Sequence, residues 1–153
     1  KTAELFKAAS QSAAVLSGAS NKVIKAAGDF AYSLGIAFQI QDDLLDYFGN
    51  KELTGKKIGK DFEEGKITLP LLRTIELTSN QNKKTILKLI SKKDSLSLSK
   101  VIEIIKGSGA LKEVQEIYNS YIEDCLSKVS LFPDSIYKIK IQNLIKEVSE
   151  RKG

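Results

Sequence analysis

The sequence predicts an all-α protein, a helix bundle. Apolar residues recur at every third or fourth position along most of the 153 residues, the spacing of helices that bury one face. Glycines, prolines and short polar residues divide that pattern into successive helical stretches. With 42% hydrophobic and 28% charged residues, the chain is rich enough in apolar side chains to bury a core, which excludes global disorder. No internal repeat or domain boundary is visible, so residues 1–153 read as one helical domain.

The elements follow in order. Residues 2–19, rich in Ala, Ser and Leu and nearing their end at Gly18, read as a first helix whose small residues permit close packing. Residues 23–48 form a second, with Ser20 or Asn21 as cap. Residues 49–69 break the pattern. Pro70 suits the first turn of a helix through about Thr78. Asn82 could cap a helix over 83–92, with Ile86, Leu87, Leu89 and Ile90 inward among lysines. Residues 95–106 form another, stopped by Gly107. Residues 108–130 repeat apolar positions at Leu111, Val114, Ile117 and Tyr121. Pro133 and Asp134 restart a last helix through Glu150, with Tyr137, Ile141, Leu144, Ile145 and Val148 on one side. Alternation over 137–141 would also suit a strand, but the longer helical run outweighs it.

Composition removes much chemistry. There is no His, so Ser-His-Asp and Cys-His nucleophile systems and histidine zinc sites are excluded. One cysteine, Cys125, rules out a disulfide scaffold and reads as a small buried apolar residue. The net charge is +5, yet only Arg73 and Arg151 are arginines. Base readout favours arginine, so no nucleic-acid partner is expected. No apolar run is long enough to span a bilayer and no signal sequence opens the chain, so a cytoplasmic location is expected. The chain begins Lys1-Thr2-Ala3-Glu4 and contains no Met, so it reads as a portion of something longer.

What remains is carboxylate, lysine, hydroxyl and oxygen-bound metal. Residues 30–48 are apolar nearly all round, and their charged residues are Asp42, Asp43 and Asp46. At about 100° per residue, Asp46 lies about 40° from Asp42, with Asp43 on the flank. Gln39 sits one turn earlier on the same side. Like charges in one turn destabilise a helix, and burying unpaired carboxylates costs several kcal/mol each. A hard divalent cation such as Mg²⁺ removes that penalty. The alternative is a solvated acidic helix end paired with lysines.

The following segment, 49–69, carries Lys51, Lys56, Lys57, Lys60 and Lys66 among glycines that let backbone amides approach a ligand. Metal plus lysine is the charge pattern that holds a diphosphate. Gly59 and Gly65-Lys66-Ile67 only superficially suggest a P-loop: the glycine spacing is wrong and Ile67 replaces the hydroxyl residue. Lys83, Lys84, Lys88, Lys92 and Lys93 read as a solvated face, with membrane-surface contact as the other reading.

These residues resemble a known family. Gly35-Ile-Ala-Phe-Gln39-Ile-Gln-Asp42-Asp43-Leu-Leu-Asp46-Tyr is similar to the second aspartate-rich motif of trans-isoprenyl (polyprenyl) diphosphate synthases. Thr54-Gly55-Lys56, Gly59-Lys60-Asp61 and Glu64-Gly65-Lys66-Ile67-Thr68-Leu69-Pro70-Leu71 resemble the stretch that follows it there. Lys1-Thr2-Ala3-Glu4-Leu5-Phe6 resembles the upstream Lys-Thr helix. The motifs cover residues 1–72.

The resemblance implies the all-α isoprenoid synthase fold and Mg²⁺-dependent head-to-tail condensation of isopentenyl diphosphate with an allylic diphosphate. It implies that Asp42 ligates Mg²⁺, with Asp43 and Asp46 supporting it directly or through water. Lys1, Lys56 and Lys66 would bind the allylic diphosphate. Thr2 and Gln39 would stabilise the carbocation or position the diphosphate. The segment 49–69 becomes an active-site loop. A homodimer of the full-length protein is implied, with peripheral membrane contact for long products. The family's other aspartate-rich motif and its basic motif for isopentenyl diphosphate do not occur here. The chain therefore reads as the C-terminal half of a synthase, inactive alone. The other reading is a non-catalytic helical regulatory subunit of a heteromeric synthase.

Overall fold

The computed structural model describes residues 1–49 and 58–150. Among these, eight helices and no strand are found, seven of the helices where the periodicity predicts one. They are α1 (Thr2–Leu16), α2 (Asn21–Phe48), α3 (Lys60–Glu64), α4 (Leu69–Leu77), α5 (Asn80–Lys92), α6 (Ser95–Gly107), α7 (Ala110–Ser130) and α8 (Ile136–Glu150). The run 137–141 is helical within α8, so the strand alternative is not adopted. The segment 49–69 is not uniformly irregular, because α3 lies inside it. No described helix is long and apolar enough to cross a membrane.

The described residues divide into two compact units, Lys1–Gln39 with Tyr118–Glu150, and Ile40–Ile117. In the first, Phe30, Ala31 and Leu34 of α2 form a core with Cys125 and Val129 of α7 and Ile145 of α8. Phe132 meets Phe30 edge-on, ring centroids 6.1 Å apart. Small residues bring α1 onto α2. A methyl group at Gly35 would lie 2.6 Å from the Cα of Ala3, so only glycine permits this approach. The Phe6 and Phe38 rings pack 6.0 Å apart in the same seam.

In the second unit, Tyr47, Phe62, Leu71, Ile86, Leu89, Val101 and Ile105 form the core, so α2 to α6 each contribute. Caps delimit these helices. The hydroxyl of Ser79 accepts the Asn82 N–H at 3.3 Å, so Ser79 rather than Asn82 caps α5. The Asp94 carboxylate accepts the Ser97 N–H at 2.7 Å and caps α6. After α3, the N–H groups of Gly65 and Lys66 return to the carbonyls of Phe62 and Asp61, each at 2.9 Å. Gly65 adopts φ +76 there, the left-handed residue this helix end requires. Leu87, expected inward, is 57% exposed, and Tyr137 and Leu144, expected on the apolar side of the last helix, are 71% and 46% exposed. Each lies at the edge of its helix's apolar stripe, which is wider than the surface its neighbours cover.

Candidate active site

The carboxylates at the end of α2 do structural work that their spacing does not reveal. Asp46 Oδ1 accepts the N–H of Lys60 and its Oδ2 the N–H of Asp61, both at 3.1 Å. The Gly59 N–H donates to the Asp46 carbonyl at 2.7 Å. No side chain of α3's own N-cap accepts these donors, because that residue is Gly59, so Asp46 closes the helix from α2. Asp43, only 9% exposed, accepts the Leu69 N–H at 3.3 Å and thus meets the start of α4. Asp42 lies half-buried on the same stretch of helix.

This cluster is electrostatically loaded. Burial pushes the Asp46 carboxyl above its ordinary range, opposed by the N–H groups of Asp61 and Lys60 and reinforced by the charges of Asp61 and Asp42. Tyr47, buried beneath it, has its phenol pushed up to about 12, first by burial, although the Thr68 hydroxyl bonds to it. Asp61 is the residue the sequence reading did not assign. It sits beside Asp46 and takes the Lys66 ammonium on Oδ1 at 2.8 Å. Glu64 takes the same ammonium at 2.7 Å. Those bonds, Asp61 first, raise the Lys66 pKa. Its place in Gly59-Lys60-Asp61, one turn bracketed by Gly59 and Gly65 with acids in the first turn, was the available signal.

The donors Asp42, Asp43, Asp46 and Asp61 are all carboxylate oxygen, the set a hard cation selects. Among the described residues no three acidic, His or Cys side chains are arranged to enclose a metal unaided. The arrangement suits a cation such as Mg²⁺, which takes one or two carboxylates and fills its shell with water and phosphate oxygens. Lys56, with Thr54 and Gly55, lies outside the described residues.

In the first unit, Thr2 and Gln39, 37 residues apart, are brought together. The Thr2 hydroxyl donates to Gln39 Oε1 at 3.0 Å. The seam at Ala3 and Gly35, one residue on from Thr2 and four before Gln39, sets this contact. Lys1 is exposed immediately before α1. The pair gives two oxygen dipoles and an adjacent ammonium.

Comparison with known proteins decides the family. Residues 1–106 match the model of the polyprenyl synthetase family. The chain belongs to this family. It is 34% identical over 151 residues to an all-trans-nonaprenyl-diphosphate synthase (geranyl-diphosphate specific) of Rhodobacter capsulatus, covering 99% of this chain and 46% of that protein. It is 32% identical to heptaprenyl diphosphate synthase component 2 of Bacillus subtilis, over 99% of this chain and 43% of that one. The polyprenyl synthase of Caulobacter crescentus CB15, crystallised with calcium and isoprenyl diphosphate, superposes with a TM-score of 0.90 at 34% identity. That match covers 100% of this chain and 47% of the other. The fold is therefore that of the polyprenyl synthetases, and the chain spans a little under half the length of the relatives it matches.

Proposed function

We propose that this chain is the diphosphate-holding portion of a polyprenyl diphosphate synthase, acting in Mg²⁺-dependent head-to-tail condensation of isopentenyl diphosphate with an allylic diphosphate. The observation that carries it is the junction of Asp43, Asp46, Asp61 and Lys66 at the end of α2 in a chain of this family. Asp42, Asp43 and Asp46 would hold Mg²⁺, which supplies positive charge to the diphosphate when bound. Lys66 exchanges Asp61 and Glu64 for the diphosphate, and Lys1 and Lys56 neutralise its remaining charge. The allylic C–O bond breaks and its electron pair departs with the diphosphate. Thr2 and Gln39 would stabilise the developing cation or position the diphosphate, and the isopentenyl double bond attacks that cation before a proton is lost. The full-length protein is proposed as a cytoplasmic homodimer without a nucleic-acid partner.

The regulatory-subunit reading is less favoured, because a subunit freed from catalysis has no need of the aspartate cluster, Lys66 and the Thr2–Gln39 pair together. The test is a chimera in which this chain replaces the corresponding part of the Rhodobacter capsulatus synthase. Incorporation of isopentenyl diphosphate, lost in Asp42→Ala, is the expected result. A chimera with native-like helicity and no incorporation would overturn the proposal.

A further inference from the structure

Helix α5 carries Lys83, Lys84, Lys88 and Lys92, and Lys93 follows as its cap. No Asp or Glu occurs from Leu77 to Lys93. Four other helices pair a lysine with an acid. Lys25 pairs with Asp29 on α2, Lys60 with Glu64 on α3, Lys112 with Glu116 on α7 and Lys146 with Glu150 on α8, each four residues apart. On α5 the residues at that spacing are themselves lysines, 84, 88 and 92. Like charges at this spacing destabilise an isolated helix. All three are exposed, and the core of the unit takes only the opposite side through Ile86 and Leu89.

The exposed arc is not purely polar. At about 100° per residue, Leu87, Ser91, Lys84, Lys88 and Lys92 fall within about 140° of one another. Leu87, 57% exposed, lies at one edge of this arc, where it borders the core side, and Leu96, just beyond the final lysines, is 76% exposed. A cationic stripe with exposed leucines is the pattern of a helix that lies on an anionic lipid surface, lysines at headgroup level and leucines below. A nucleic acid fits less well: the face has no arginine and no aromatic residue to read or stack on bases.

We propose that α5 is a peripheral docking face for anionic membranes, with Lys84, Lys88 and Lys92 binding lipid headgroups and Leu87 and Leu96 entering the interface. These residues take no part in the proposed chemistry, so the two readings stand or fall separately. Sedimentation of the protein with phosphatidylcholine vesicles, with and without an equal share of phosphatidylglycerol, tests it. Binding to the anionic vesicles only, weakened by salt, is expected. The triple variant Lys84→Gln/Lys88→Gln/Lys92→Gln should bind about a hundredfold more weakly, given roughly a fivefold contribution from each lysine near the surface. The corresponding triple Lys→Arg variant should bind like the parent, and circular dichroism should show both variants folded. Undiminished binding by the folded Gln variant, no binding to anionic vesicles, or tighter binding to duplex DNA at equal salt would each overturn the proposal.

Discussion

Asp46 closes the N-terminus of the helix that carries Asp61, its Oδ2 accepting the Asp61 N–H at 3.1 Å although the residues lie 15 apart in sequence. One carboxylate thus fixes the position of another, and Asp61 in turn holds Lys66 at 2.8 Å. Asp46→Ala should destabilise the protein by about 1 kcal/mol through the lost cap. Asp46→Asn keeps an acceptor for one N–H and should recover part of that stability. Both should lower the activity of the chimeric synthase by about tenfold to a hundredfold. Urea unfolding beside initial rates checks this. Full activity in the Asn variant would show that Asp46 is a cap alone.

Two glycines of α2 should respond in opposite ways. Gly35→Ala drives a methyl to 2.6 Å from the Cα of Ala3, backbone that cannot give without moving α1. A loss of about 1–3 kcal/mol is expected, with reduced activity because Thr2 is carried away from Gln39. At Gly28 the new methyl meets only the Gln11 side chain, at 2.5 Å, which can swing aside. Gly28→Ala should be neutral or stabilising by up to about 1 kcal/mol from helix propensity. Thermal melts of the two variants make the comparison.

Much of this was legible in the sequence. The 3.6-residue period placed seven of the eight described helices within a few residues of where they lie, because each buries one face, and missed α3, whose five residues are too few to show a period. The aspartates of α2 stood out because charge is otherwise absent from residues 30–48. What Asp46 and Asp43 bind did not, since their partners are backbone N–H groups of Lys60, Asp61 and Leu69, which carry no side-chain signature. Periodicity also identifies a helix without fixing how wide its covered stripe is, which is why Leu87 was expected inside and why Tyr137 and Leu144, on the apolar side of α8, are exposed.

Lys66→Gln should raise the KM for the allylic diphosphate while leaving stability nearly unchanged. Its side chain is 57% exposed and that of Glu64 44%, so although Asp61 is only 17% exposed, the lysine itself stays largely in water, where such pairs contribute little. Steady-state kinetics with varied allylic diphosphate, beside a urea titration, separate the two effects. A fall in stability with KM unchanged would make Lys66 a structural residue.

Cys125 supplies a pH test in the first unit. It is fully buried, and its thiol is pushed up to about 12, first by burial and then by the charge of Asp124. An unfolded cysteine titrates near about 8.5. Its neutral form therefore stabilises the fold fully below that value, and the contribution is lost as pH rises toward about 12. Urea unfolding at stepped alkaline pH should show a shallower decline for Cys125→Ala than for the parent. Thiol reagents at neutral pH should label the protein only once denaturant is added. Rapid labelling of the folded protein would contradict the burial.

The aspartates ending α2 are proposed to hold a metal-bound diphosphate with the help of lysine. Calorimetric titration of inorganic diphosphate into the protein tests it most directly, with Mg²⁺ present, with Mg²⁺ chelated, and in Asp42→Ala. Binding with Mg²⁺, none after chelation, and at least about tenfold weaker affinity in the variant are expected. Equal affinity with and without Mg²⁺, or an affinity untouched by Asp42→Ala, would contradict it.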